Sequence, residues 1–79
     1  MNAHQVLERL DAARAAATDP LNRRMLAEAA MDIRARLSLM VHARIDANAG
    51  ARRALFGAEV RRPMSRLLSD ARYVLTEYA

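Results

Sequence analysis

Residues 18–50 read TDPLNRRMLAEAAMDIRARLSLMVHARIDANAG and contain the signals that decide the fold. Asp19 followed by Pro20 is typical of a helix start, because aspartate caps the first turn and proline fits the first helical position. No proline or glycine follows until Gly50. A glycine just after the last helical residue commonly ends a helix. The sequence therefore predicts one long central helix over residues 20–48.

This helix carries an apolar stripe whose members recur at helical spacing, so that they share one face. A helix of about 29 residues is about 43 Å long, whereas a compact domain of 79 residues has a diameter of roughly 30 Å. Part of the stripe would therefore find no cover within one chain. We expect a second copy to cover it through a dimer interface of Leu26, Ala30, Ile33, Leu37, Met40 and Val41.

A weaker apolar stripe runs along nearly the opposite side of the same helix and contains Ala27, Met31, Ala35, Leu39 and His42. Scattered apolar side chains on a protein surface are common and need no function. The alternative is a helix that is buried on both sides, by its own chain and by a partner. Met31 and Leu39 are the candidate partner-binding residues of this stripe, since methionine-rich surfaces adapt readily to protein partners.

The segments on either side of the central helix are also helical in pattern. Residues 2–17 place apolar side chains on one face, and Asn2 is a suitable N-cap. Pro63 must break or kink the last segment, residues 51–79, and we expect a short helix over residues 51–61 before it. Residues 63–78 then form a clean amphipathic helix.

The composition fits a single helical domain over residues 1–79. The chain has 18 alanines and ten leucines, and no cysteine for disulfides or thiolate zinc sites. Apolar burial contributes on the order of 120 kcal/mol for a chain of this mass, and ordering the chain costs about as much. A lone protomer is therefore marginal in stability. We predict an all-α fold of three helices, the last one kinked at proline, that completes a helical bundle as a homodimer.

Positive charge is concentrated in one short segment. The chain contains 13 arginines and no lysine, and residues 51–66 hold five arginines against Glu59, which accounts for the whole net charge of +4. The planar guanidinium fork suits carboxylate and phosphate, so the segment could bind an acidic protein or a nucleic acid, or it could simply be a solvated face. The candidate partner-binding arginines are Arg52, Arg53, Arg61, Arg62 and Arg66.

Catalytic and metal-binding signals are weak. His4 with Glu8, and His42 with Asp46, are i,i+4 pairs, but two ligands are too few for a metal site. The sequence has no nucleophile elbow, and two glycines cannot build a glycine-rich phosphate loop. We therefore expect no catalytic residues, no metal, no cofactor and no enzymatic activity.

The N-terminal residues lack the pattern of a secretory signal, and charges interrupt every helix-length window. We expect a cytoplasmic protein without a membrane partner, and arginine without lysine beside abundant alanine favours a bacterial or phage origin. The predicted function is a small dimeric helical protein-interaction module, which acts as an adaptor, inhibitor or other regulator by binding a protein target. The alternative is a small dimeric nucleic-acid-binding regulator that uses the arginine patch at residues 52–66.

Overall fold

The computed structural model describes the backbone of residues 1–45 and 62–79, with side chains for residues 1–40 and 62–79. The described residues form three α-helices and no strand: α1 (Ala3–Ala16), α2 (Pro20–Ile45) and α3 (Met64–Tyr78). The predicted all-α class is confirmed for this part of the chain. The expected end of the central helix at residue 48 and the short helix over residues 51–61 lie outside the described residues.

The first two helices begin where the sequence predicts. The Asn2 side chain accepts a hydrogen bond of 2.9 Å from the backbone N–H of Gln5, whose side chain accepts one of 3.0 Å from the backbone N–H of Asn2. This capping box satisfies two donors that would otherwise lack partners. α2 begins at Pro20, and the backbone carbonyl of Asp19 accepts from the N–H of Arg23 at 3.0 Å.

α3 begins directly after Pro63, which is extended (φ −67°, ψ 153°). The Pro63 carbonyl accepts from the backbone N–H groups of Arg66 and Leu67, at 3.0 and 3.2 Å. A proline before the first turn costs no helical hydrogen bond, because donors at a helix N-terminus have no intrahelical acceptor. The predicted kink concerns the junction with residues 51–61, which lie outside the described part.

α2 packs against both other helices and runs antiparallel to each of them. Tyr78, at the end of α3, lies beside the connection between α1 and α2, while Arg62, just before α3, reaches Asp32 in the middle of α2. The three helices enclose a core of eight buried apolar residues: Val6, Leu10, Leu26, Ala30, Ile33, Leu67, Ala71 and Val74. The inward faces predicted for the first and last helices are confirmed.

The flanking helices are shorter than α2, so they cover only part of it. α2 has 26 residues, or about 39 Å, against 14 and 15 residues for α1 and α3, or about 22 Å each. Both flanking helices meet α2 at its N-terminal end, and Ile33 is the last fully buried residue among the described side chains of α2. We call residues 20–33 the proximal half of α2 and residues 34–45 the distal half.

The structure places three of the predicted dimer-interface residues inside the protomer. Leu26, Ala30 and Ile33 belong to the proximal half and are buried in the protomer's own core, where no surface remains for a second copy. The other three belong to the distal half. Leu37 packs against the edge of the core, Met40 is 45% exposed, and the side chain of Val41 lies outside the described part.

Across the described residues, no helix is both long enough and apolar enough to cross a membrane.

Candidate interaction surfaces

The first surface is the continuation of the core stripe along the distal half of α2. Leu37 and Met40 follow Ile33 at intervals of four and seven residues, so they lie on nearly the same face of the helix. Ile33 has no exposed surface, whereas Leu37 is half-buried and Met40 is exposed. The apolar stripe therefore extends beyond the cover that α1 and α3 give it.

The second surface is the side of α2 that faces away from α1 and α3. Met31 is 65% exposed there, with the half-buried Ala27 and Ala35 one turn before and after it. Small neighbours leave the methionine standing above the helix surface, where another protein could contact it. Leu39 is half-buried and lies eight residues further along, about 12 Å from Met31, so the two predicted partner-binding residues do not form one contiguous patch.

Charged pairs border the Met31 surface. Arg24 Nε lies 3.1 Å from Glu28 Oε1, one turn along α2, and Arg34 donates to Asp11 of α1. Both pairs are partly exposed, so each contributes little to the free energy of unfolding. The Asp11–Arg34 contact joins α1 to α2. Sequence reasoning missed it, because pairing across 23 residues depends on how the helices align.

A third cluster joins α2 to the start of α3 and includes two of the predicted partner-binding arginines. Arg62 lies between two carboxylates: Nη1 is 3.1 Å from Asp70 Oδ2, and Nη2 is 3.9 Å from Asp32 Oδ2. Arg66 Nε is 3.6 Å from the other Asp70 oxygen. Intramolecular carboxylates thus offset much of the charge of Arg62 and Arg66. Arg52, Arg53 and Arg61 lie outside the described residues.

Beneath this cluster, α2 and α3 leave a small cavity of about 130 Å³. Its floor is apolar, and the side chains of Arg62, Asp32 and Asp70 line its rim. Because these charged groups pair with one another, the cavity belongs to the seam between the two helices and presents no free charge to a ligand.

A larger groove of about 330 Å³ lies between α1 and α3, lined by Met1, Arg9, Arg72, Leu75 and Thr76. Arg9 and Arg72 are exposed, and neither has a carboxylate partner among the residues that the structure describes. The Thr76 hydroxyl donates to the backbone carbonyl of Arg72 at 3.0 Å, so its hydrogen is used within α3. The groove thus combines apolar side chains with two unpaired cations. Sequence reasoning missed it, because its arginines are 63 positions apart and only the packing of α1 on α3 brings them together.

Among the described side chains, no three histidine, aspartate or glutamate residues lie close enough together to hold a metal ion. His4 and Glu8 are both exposed on α1.

Comparison with known proteins does not assign the chain to a family: no family model, curated protein or solved structure matches it. Any functional conclusion therefore depends on the surfaces described above.

Proposed function

We propose that this chain is a small dimeric helical module that regulates another protein by binding it. Its action is steric: the dimer presents a fixed helical surface that covers part of the target. The observation that carries the proposal is the exposure of Met40 on the apolar face that buries Ile33 in the same helix. Exposed apolar surface that continues a core is typical of a site that another protein covers.

The distal half of α2 supplies the contact between the two copies. Of the predicted interface residues in this half, Met40 is exposed and Leu37 is half-buried at the edge of the core, while the side chain of Val41 lies outside the described part. A contact limited to about three turns of one helix buries less than the roughly 800 Å² per partner of standard interfaces. We therefore expect a dissociation constant in the roughly micromolar range, which corresponds to about −8 kcal/mol.

Met31 supplies an anchor for the target on the outward side of α2. An adaptable apolar side chain bordered by charged pairs resembles the arrangement of many interfaces, in which an apolar centre has a polar rim. Because Met31 and Met40 lie on different sides of the helix, a dimer formed through Met40 leaves Met31 accessible.

Protein binding is better supported than nucleic-acid binding by the charges of the described residues. Binding to a nucleic acid depends mainly on cations that neutralise phosphates. Arg62 and Arg66 already pair with Asp70, and Arg24 and Arg34 pair with Glu28 and Asp11. These pairs reduce the charge that the described surface can offer to phosphates, and they leave four exposed arginines without a carboxylate contact among the described residues: Arg9, Arg14, Arg23 and Arg72.

Sedimentation equilibrium of the wild-type chain between about 1 and 100 µM tests the dimer, because a roughly micromolar constant places the transition in that range. Met40→Glu should shift the population to monomer, because it places a charge in the apolar contact. Met31→Glu is the matched control and should leave the dimer intact. A chain that remains monomeric at 100 µM would overturn the dimer.

Affinity capture from the native cell, with and without nuclease, tests the target class. A protein that is retained after nuclease treatment and lost with Met31→Glu supports the proposal. If all captured material disappears with nuclease, and wild type binds mixed duplex DNA with a steep salt dependence, the nucleic-acid alternative replaces it.

A further inference from the structure

The groove between α1 and α3 differs from the ion-paired sites of the described structure in the state of its arginines, a state that the exposed Arg14 and Arg23 share. Arg24, Arg34, Arg62 and Arg66 each lie within 4.0 Å of a carboxylate of the same chain. Arg9 and Arg72 have no such contact among the described residues, although they line one groove from two different helices. The groove thus brings together two arginines that no carboxylate among the described residues contacts, with the exposed Glu8 next to Arg9 in the chain.

The rest of the groove is lined by apolar side chains, which do not suit a purely ionic ligand. Leu75 is half-buried and packs against the edge of the core, and Met1 is 48% exposed beside it. A ligand that matches the whole groove therefore needs an apolar group for Leu75 and Met1, with anionic groups for the two arginines. An amphipathic helix with acidic residues beside leucines meets both requirements, because residues three and four apart share one face.

We propose that the α1–α3 groove is the docking site for an acidic amphipathic helix of the target protein. This inference rests on the proposed function and deepens it, since it identifies the surface and the chemistry by which the target is recognised. The arginines pair with carboxylates of the target, while a leucine-like side chain packs on Leu75 and Met1. Met31, on α2, is then a second contact on a separate surface.

An acidic helix fits this groove better than a nucleic acid or an anionic membrane does. Two arginines are few for a polyanion, whose binding depends on many neutralised phosphates. The exposed Glu8 next to Arg9 has no cationic partner among the described residues and would repel a phosphate chain that follows α1. A discrete helix can place its carboxylates at the arginines alone.

The test uses the full chain, labelled with ¹⁵N, and a short capped helical peptide of glutamate and leucine. The control peptide has every glutamate replaced by glutamine. We expect amide shifts concentrated around Arg9, Arg72 and Leu75 with the acidic peptide, and much smaller shifts with the neutral one. Arg72→Gln should raise the dissociation constant of the acidic peptide by about fivefold, as the loss of one partly exposed ion pair predicts.

Arg23→Gln is the matched control variant, because Arg23 is an exposed arginine of α2 with no carboxylate partner among the described residues. It should leave the affinity for the peptide unchanged. Equal weakening in both variants, shifts outside the groove, or no binding of the acidic peptide would overturn the proposal. So would tighter binding of duplex DNA or of phosphatidylglycerol vesicles at the same residues. Sedimentation and capture results that remain positive would show that only the docking site had failed, and not the interaction module.

Discussion

The proximal and distal halves of α2 carry the same apolar repeat in different surroundings. In the proximal half, Leu26 and Ile33 lie between α1 and α3 and have no exposed surface. In the distal half, Leu37 is half-buried and Met40 is exposed on nearly the same face. The stripe has the same spacing along the helix, whereas among the described helices only the proximal half is enclosed by both α1 and α3.

This difference separates two properties that are often inferred together from a helical pattern: which side of a helix is apolar, and whether that side is buried. Periodicity identifies which side of a helix is apolar, because it depends only on the 3.6-residue turn. Burial also depends on the lengths and positions of the helices packed against that side. For α2, those lengths divide one stripe into a core and a candidate interface.

The largest effect is expected in the proximal half. Ile33→Ala should lower the free energy of unfolding by about 3 kcal/mol, because it removes buried methyl groups and leaves a cavity at the centre of the core. For a small domain this is a large part of the total stability. Urea denaturation followed by circular dichroism measures it. A loss below about 1 kcal/mol would show that Ile33 is not enclosed as described.

The matching change in the distal half should act on association instead. Met40→Ala should change the unfolding free energy of the monomer by less than about 1 kcal/mol, because the side chain is already half in water. It should raise the dimer dissociation constant about tenfold, as loss of an interface side chain worth about 1.4 kcal/mol predicts. Sedimentation equilibrium measures the constant, with Met31→Ala as control. Equal constants for both variants would place the dimer contact elsewhere.

A third test concerns α1, one of the two helices that cover the apolar stripe of α2. Asn2→Ala removes the cap of α1 and should cost about 1 kcal/mol of unfolding free energy, because the backbone N–H of Gln5 loses its acceptor. The loss should appear in thermal or urea unfolding of the whole domain, since α1 covers the proximal half. If only local fraying of residues 1–5 is seen by hydrogen exchange, α1 adds less to the core than its packing indicates.

The smallest effect is expected at the border between the two halves. Arg62→Gln removes the contacts with Asp32 and Asp70 and should cost about 0.5 kcal/mol, because all three side chains are partly exposed. High salt should abolish the difference from wild type. Arg24→Gln, which removes a pair within a single helix, is the control and should cost about 0.3 kcal/mol. A cost above 2 kcal/mol for Arg62→Gln would mean that the ion cluster, and not the apolar seam, holds α3 in place.

The parts of the fold that depend on nearby residues could be predicted from the sequence. The Asn2 cap, the start of α2 at Pro20 and the apolar faces of α1 and α3 follow from local hydrogen bonding and periodicity, and the structure confirms them. The length of the central helix predicted that part of its stripe would lack cover, but which part could not be predicted, because this depends on how far α1 and α3 reach along α2. For the same reason, sequence reasoning assigned Ile33 to a dimer interface.

The pairing of charged residues was even harder to predict from the sequence than the burial of the stripe. The sequence placed Arg62 among the candidate partner-binding arginines, yet it pairs with Asp32 and Asp70, which come from two different helices. No sequence pattern indicated a site at Arg9 and Arg72, because each is an ordinary solvent-facing residue within its own helix. Whether an arginine is neutralised or available is a property of helix packing that local sequence does not contain.

The tight reversal between Ala16 and Pro20 also has a consequence for how the chain folds. Only three residues separate α1 from α2, so the contacts of this hairpin close short loops, and closing such loops takes well under a microsecond. The buried residues of the hairpin all lie within the first 33 positions, whereas α3 belongs to the last 16. The α1–α2 hairpin can therefore form before α3 packs against its apolar seam.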